Sequence, residues 1–113
     1  MCNKNEAITI RDEVYNACKN IFNDKISDCY LYGSYARGDY KKESDIGIMI
    51  VVDMSYIELN KYRRSVSDTG SMLSLNHDVT VSIKLQPKKE LEMYKEVLPY
   101  YINVLREGIR YGN

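Results

Sequence analysis

LYGSYARGDYKKESDIGIMIVV, residues Leu31 to Val52, runs from the end of one apolar segment through a polar loop into another. Its last part, Asp45 to Val52, reads DIGIMIVV and is apolar at odd and even positions alike, as a strand buried on both faces must be. Such a strand belongs in the middle of a sheet. The segment before it, Ile26 to Gly33 (ISDCYLYG), is short, rich in β-formers and stops on a Gly-Ser turn. The connection SYARGDYKKES is polar, carries Gly38 midway, and reads as a loop or a single helical turn.

The chemistry-bearing residues lie in the same stretch. A Gly-Ser at the end of a strand lets the backbone approach a ligand closely, and N–H groups left free at the following turn suit a phosphate. Ser34 adds a hydroxyl and Arg37 a cation able to bind in two-pronged fashion. Asp45 follows Ser34 after ten intervening residues, at the mouth of the buried strand. A carboxylate has no packing role there, so Asp45 is the candidate magnesium ligand.

Outward from this stretch, Ile10, Val14, Ala17, Cys18 and Ile21 form the stripe of an amphipathic helix over Ala7 to Phe22. Tyr56 to Leu75 is weakly helical, polar and interrupted by Gly70. HDVTVSIK, His77 to Lys84, alternates with period two and predicts a strand with unlike faces. Pro87 opens a helix with Leu91, Tyr94 and Leu98 on its stripe, and a last helix from Tyr100 to Glu107 stops at Gly108. The order predicts a single α+β (mixed α/β) domain over residues 1–113, a small mixed central sheet flanked by helices. Pairing Asp45–Val52 with Ile26–Tyr32 and with Asp78–Lys84 brings Ser34, Asp45 and Asp78 into one cleft.

The 16 basic and 16 acidic side chains cancel, so no overall field draws nucleic acid or anionic lipid, and direct nucleic-acid binding is not expected. Three cysteines, Cys2, Cys18 and Cys29, fit neither a disulfide framework nor a zinc site. With no segment apolar enough to span a bilayer and no signal-peptide core, the expectation is a cytoplasmic protein away from membranes. Eleven tyrosines against one phenylalanine imply much half-buried surface and room for an interface, a homo-oligomer included. Tyr94, Tyr100 and Tyr101 mark where to look. Lys61, Arg63 and Arg64 read as a solvated face, and His77 as a surface residue at a strand end.

Gly33-Ser34, Ala36-Arg37-Gly38 and Ser44-Asp45-Ile46-Gly47 closely resemble the signature of minimal nucleotidyltransferases of the DNA polymerase beta-like superfamily: Gly-Ser, ten residues, Asp, one residue, Asp. HDVTVSIK resembles that family's third acidic strand, and LPYYINVLREGIRYG its closing helix. The resemblance implies a nucleotidyltransferase fold that moves a nucleoside monophosphate, AMP above all, from a nucleoside triphosphate such as ATP to a hydroxyl. Gly33, Ser34 and Arg37 would hold the triphosphate, and Asp45 and Asp78 would be catalytic carboxylates binding Mg2+. It also implies a possible partner, because small members pair as antitoxins with helical HEPN-type ribonucleases.

The departure from the signature is Gly47, where a second carboxylate is expected. Residues i and i+2 of a strand lie about 6.6 Å apart on one face, which is what lets a D-x-D pair clamp two ions roughly 4 Å apart. Glu43 and Asp39 are the only nearby substitutes, and a glycine on this face is expected to leave room for a restored carboxylate. Two readings follow. One is a transferase of impaired activity; the other is an inactive nucleotide-binding or protein-interaction module that keeps the fold.

Overall fold

Asn3 starts the first helix: its side chain accepts the Glu6 N–H at 2.8 Å, so α1 covers Lys4–Phe22 and begins before the apolar stripe does. The computed structural model describes residues 2–112. Ala7, Ile10, Val14, Cys18 and Phe22 turn one face of α1 onto the sheet and are fully or almost fully buried.

Four strands, β1 (Ile26–Tyr32), β2 (Ile46–Val52), β3 (Val81–Pro87) and β4 (Ile109–Arg110), form one sheet in the order β3-β2-β1-β4. β1 runs antiparallel to β2 and to β4, while β3 runs parallel to β2. The central strand is thus β2, as its double apolar face requires. Ile46, Ile48, Ile50 and Val52 join the core under α1, while Met49 and Val51 join a second cluster with Tyr30, Leu91, Tyr101 and Val104. Alternation along one strand therefore divides the interior into two layers.

The connections are helical: α2 (Ser34–Arg37), α3 (Tyr56–Leu59), α4 (Arg63–His77), α5 (Lys88–Tyr94) and α6 (Pro99–Glu107). Ser55 and Glu58 cap α3 reciprocally, so the weak helical region divides into a capped turn and a longer helix. α4 runs on to His77, and the third strand begins only at Val81, not at His77 as the alternation predicts. Tertiary contacts override the pattern here. Asp78 takes a left-handed conformation (φ 53°, ψ 47°), its N–H reaching Ser74 O, and the Ser74 hydroxyl accepts the Val81 N–H at 2.9 Å.

The short strand β4, absent from the sequence reading, is held by side chains from afar. Buried Arg11 donates to the carbonyls of Ile109 and Arg110 at 3.2 and 3.3 Å, and Arg110 pairs with Asp28 at 2.6 Å. Tyr111 stacks on Tyr15 with ring centroids 3.8 Å apart. At Gly108 the chain turns so tightly that a Cβ there would lie 2.3 Å from Val104 O and 3.2 Å from Leu31 O. Gly108→Ala is therefore expected to lower stability by about 1–3 kcal/mol, measured by urea unfolding.

His77 is no strand-end surface residue. It joins α4 to α1, its Nδ1 lying 3.2 Å from Glu6 and its Nε2 2.9 Å from Glu13. Burial opposes the charged ring, but the two carboxylates outweigh it and raise its pKa above the ordinary 6.5. A pKa raised on folding adds stability that is complete below the unfolded value and is lost as pH rises through the folded one. The melting temperature should therefore fall as pH rises above about 6.5. His77→Gln should remove that slope, which differential scanning calorimetry reads directly.

Candidate functional site

The turn after β1 is built on Gly33, whose φ of 84° lies in the left-handed region that favours glycine. The Ala36 and Arg37 N–H groups fold back onto Gly33 O, each at 3.1 Å. Among the described residues no hydrogen bond takes up the N–H of Ser34 or Tyr35. Ser34 is half-buried beside them, so the turn offers the donors a phosphate needs. Arg37, also in α2, is already engaged: it lies 3.3 Å from Asp39 and 3.9 Å from Glu107, which ties the turn to α6. The Asp39 carboxylate thus faces Arg37 in an exposed ion pair.

The register of the sheet places the remaining residues. Tyr32, Gly47 and Ser82 are partners across β1, β2 and β3, and Ile46 pairs with Val81. By the pleat, Asp45, Gly47 and Met49 share one face of β2. Beside that face stand Thr80, just before β3, and Ser82 and Lys84 on it, so among these positions Asp45 is the one carboxylate. Asp45 itself is exposed.

Asp78, expected within the same cleft, sits outside the strand. Its left-handed cap carries it off the pleat, into a crevice of about 390 Å³ shared with Lys42, Glu43, Ser44 and Thr80, whose walls do not include Asp45. The helix that overran the predicted strand start is the reason. Glu43 opens into this crevice as well. Asp53 lies at the far end of β2, roughly 20 Å along the strand from Gly47. Among the described residues no group of three or more His, Cys, Asp or Glu side chains is placed to hold a metal ion.

The space in front of Gly47 is not open. A Cβ on Gly47 would lie 3.1 Å from the Tyr32 ring carbon Cζ and 3.3 Å from both Cε atoms, so the phenol covers the position where a second carboxylate was expected. This corrects the expectation that the glycine leaves room. Tyr100 meets Tyr32 edge-on at 5.9 Å, and Lys84 Nζ lies 4.6 Å from the centre of the Tyr100 ring. Burial, together with the neighbouring Tyr32 hydroxyl, pushes the Tyr100 phenol well above its ordinary range, so it stays neutral at physiological pH. This aromatic and cationic covering was missed in the sequence. Tyr32 stands one residue before the signature, and only cross-strand register aims it at Gly47.

These residues do not fit a two-magnesium clamp. Such a clamp needs converging carboxylates, and the face holds Asp45, a glycine, two hydroxyls and a ring, with Lys84 adding positive charge nearby. The Gly33-Ser34 turn, by comparison, keeps its free N–H groups and its hydroxyl. Tyr101 is buried, whereas Tyr94 and Tyr100 are 40% and 38% exposed. The three cysteines are buried and unpaired, and burial pushes the Cys18 and Cys29 thiols up to about 12, so neither is a nucleophile.

Residues 16–104 match the family model described as Polymerase beta, Nucleotidyltransferase. Two proteins of Methanocaldococcus jannaschii, each named "Putative protein adenylyltransferase", are similar along most of their length. MJ0604 is 36% identical over 104 residues, 92% of this chain and 95% of its own; MJ0141 is 35% identical over 77 residues, 68% of this chain and 76% of its own. Among solved structures, a chain in a mutant MntA-HpeT toxin–antitoxin crystal structure superposes with a TM-score of 0.53 at 17% identity, covering 96% of this chain and 72% of that one. A chain in a toxin–antitoxin structure with AMP-PNP gives the same TM-score and identity over 88% of this chain and 70% of that one. The Gly-Ser turn and the sheet it serves are thus those of a nucleotidyltransferase fold, and the chain belongs to the polymerase beta nucleotidyltransferase family.

Proposed function

We propose that this protein binds a nucleoside triphosphate, ATP foremost, at the Gly33-Ser34 turn with help from Arg37, and acts on a protein partner by contact, with adenylyl transfer severely reduced. One observation carries the reading: the row Tyr32, Gly47, Ser82 beside Asp45 contains no carboxylate and is covered by a ring. A bridging carboxylate stabilises charge at the transferring phosphoryl by several kcal/mol, and each 1.4 kcal/mol lost is about tenfold in rate. In this reading Asp45 and Asp78 act as separate surface carboxylates. Magnesium then contributes through the triphosphate it accompanies more than through the chain. The toxin–antitoxin assemblies whose chains share this fold support a toxin as the partner, and a helical HEPN-type protein fits that role. Three unpaired cysteines support a reducing, cytoplasmic setting. Among the described residues no helix is long and apolar enough to cross a membrane.

The second reading is protein adenylyl transfer from ATP, favoured by the names of the archaeal relatives. Labelled ATP separates the two. With cell lysate as acceptor, the wild type is expected to label nothing. Because Tyr32 occupies the space, Gly47→Asp alone should not restore transfer. Tyr32→Ala, Gly47→Asp and Ser82→Asp combined should do so, and adding Asp45→Ala should abolish it again. Robust labelling by the wild type, lost in Asp45→Ala, establishes the transferase instead.

Calorimetry tests the nucleotide half. ATP should bind the wild type with a dissociation constant that changes less than about threefold on removing magnesium. Ser34→Ala should weaken it by about fivefold, the worth of one hydrogen bond near 1 kcal/mol. No heat with millimolar ATP leaves a pure interaction module.

A further inference from the structure

β2 and β3 run parallel, so both leave the sheet at one end, opposite the end that carries Gly33 and Asp45. There α3 follows β2 and α5 follows β3, and the two short helices leave a crevice of about 560 Å³ between them. Tyr56, Tyr94, Met54 and Met93 make its walls aromatic and sulfur-bearing. Tyr56, Met93 and Tyr94 are all exposed, so the crevice is reached directly from solvent.

Carboxylates outnumber cations in this lining: Asp53, Glu58 and Glu90 stand against Lys89. Glu58 is engaged, accepting the Ser55 N–H at 3.0 Å with Lys25 and Lys61 near it. Among the described residues no ion pair reaches Asp53 or Glu90. Glu90 Oε2 is moreover buried and has no hydrogen-bond partner. A carboxylate oxygen taken from water without a donor is costly, and a cationic donor meets that need with a charge-assisted bond. The Tyr56 phenol lies against the same carboxylate, which pushes it up to about 12 and keeps it neutral, and its ring offers a face to a cation.

The surroundings of the crevice are apolar. Ile57, next to Tyr56, is 81% exposed, and Val97, whose N–H donates to Tyr94 O, is 68% exposed, as is Met93. A protein partner covers apolar surface of this extent, whereas a small free cation leaves it wet. We infer that the α3–α5 crevice is a docking site for a basic, amphipathic segment of a protein partner, whose arginine or lysine enters to meet Glu90 and Asp53 while its apolar residues cover Ile57, Met93 and Val97. This rests on the contact reading and deepens it by naming the chemistry of the partner segment, and it uses none of the nucleotide-site residues Gly33, Ser34, Arg37 and Asp45. Two copies set face to face here would bring their unpaired carboxylates together, which disfavours self-pairing.

The test titrates the 15N-labelled full chain with the capped peptide Ala-Leu-Arg-Lys-Leu-Leu-Arg-Leu and reads amide shifts. The amides of Met54, Tyr56, Glu90 and Tyr94 should shift, and the affinity should fall as salt is raised. It should drop about tenfold in Asp53→Asn with Glu90→Gln, which removes both charges with little change of shape, and also in Met93→Lys, at an exposed position on which the fold does not depend. The same peptide with glutamates in place of its basic residues should not bind. Four results overturn the inference: no shift at millimolar peptide, equal binding of the glutamate peptide, shifts that map away from α3 and α5, or spermidine moving the same amides as far at the same concentration. A concentration-dependent dimer that protects the α5 amides also overturns it, in favour of self-pairing. Labelled-ATP transfer does not enter these readouts, so failure here and failure of the contact reading are distinguishable.

Discussion

A strand buried on both faces tolerates no slip, and β2 imposes that constraint on everything around it. Moving its register by one residue would exchange Ile46, Ile48, Ile50 and Val52 for Gly47, Met49 and Val51, exposing each apolar set to the wrong layer. Its neighbours are fixed in turn. β1 must set Tyr32 opposite Gly47, and β3 must set Ser82 there from the other side. The site is therefore a consequence of core packing, and its residues are those that the register delivers to the end of the sheet.

Within that frame, Tyr32 and Gly47 are complementary. Glycine lets the ring lie on the strand, and the ring in turn fills the space that a carboxylate would occupy. The arrangement continues through Tyr100 to Lys84, so an aromatic and cationic surface replaces an anionic one. The change of sign matters more than the loss of one ligand. A lysine near this face opposes the approach of a divalent cation, where converging carboxylates would favour it.

The two ends of β3 meet the same helix in different ways. At Ser74, α4 closes the edge by taking the Val81 N–H; farther along, Gly70, Ser67 and Ser71 leave a trough beside Ile83. Proteins commonly protect an edge strand with lysine, and Lys84 meets that need against copies of the chain itself.

Much of this was written in the sequence. The double apolar face of DIGIMIVV determined a central strand, the Gly-Ser pair determined the turn at the end of β1, and their spacing to Asp45 determined the family. These signals are local, because periodicity and a left-handed glycine express the preferences of neighbouring residues. Tertiary structure alone decided the rest. α4 extended through His77 because Glu6 and Glu13, from the other end of the chain, hold the ring, and that extension carried Asp78 out of the pleat. β4 exists because Arg11 and Asp28 hold it, contacts that span most of the sequence. Tyr32 covers Gly47 because two strands pair in one register. Each is a contact between residues far apart in the chain, and no local pattern records which distant side chain will arrive.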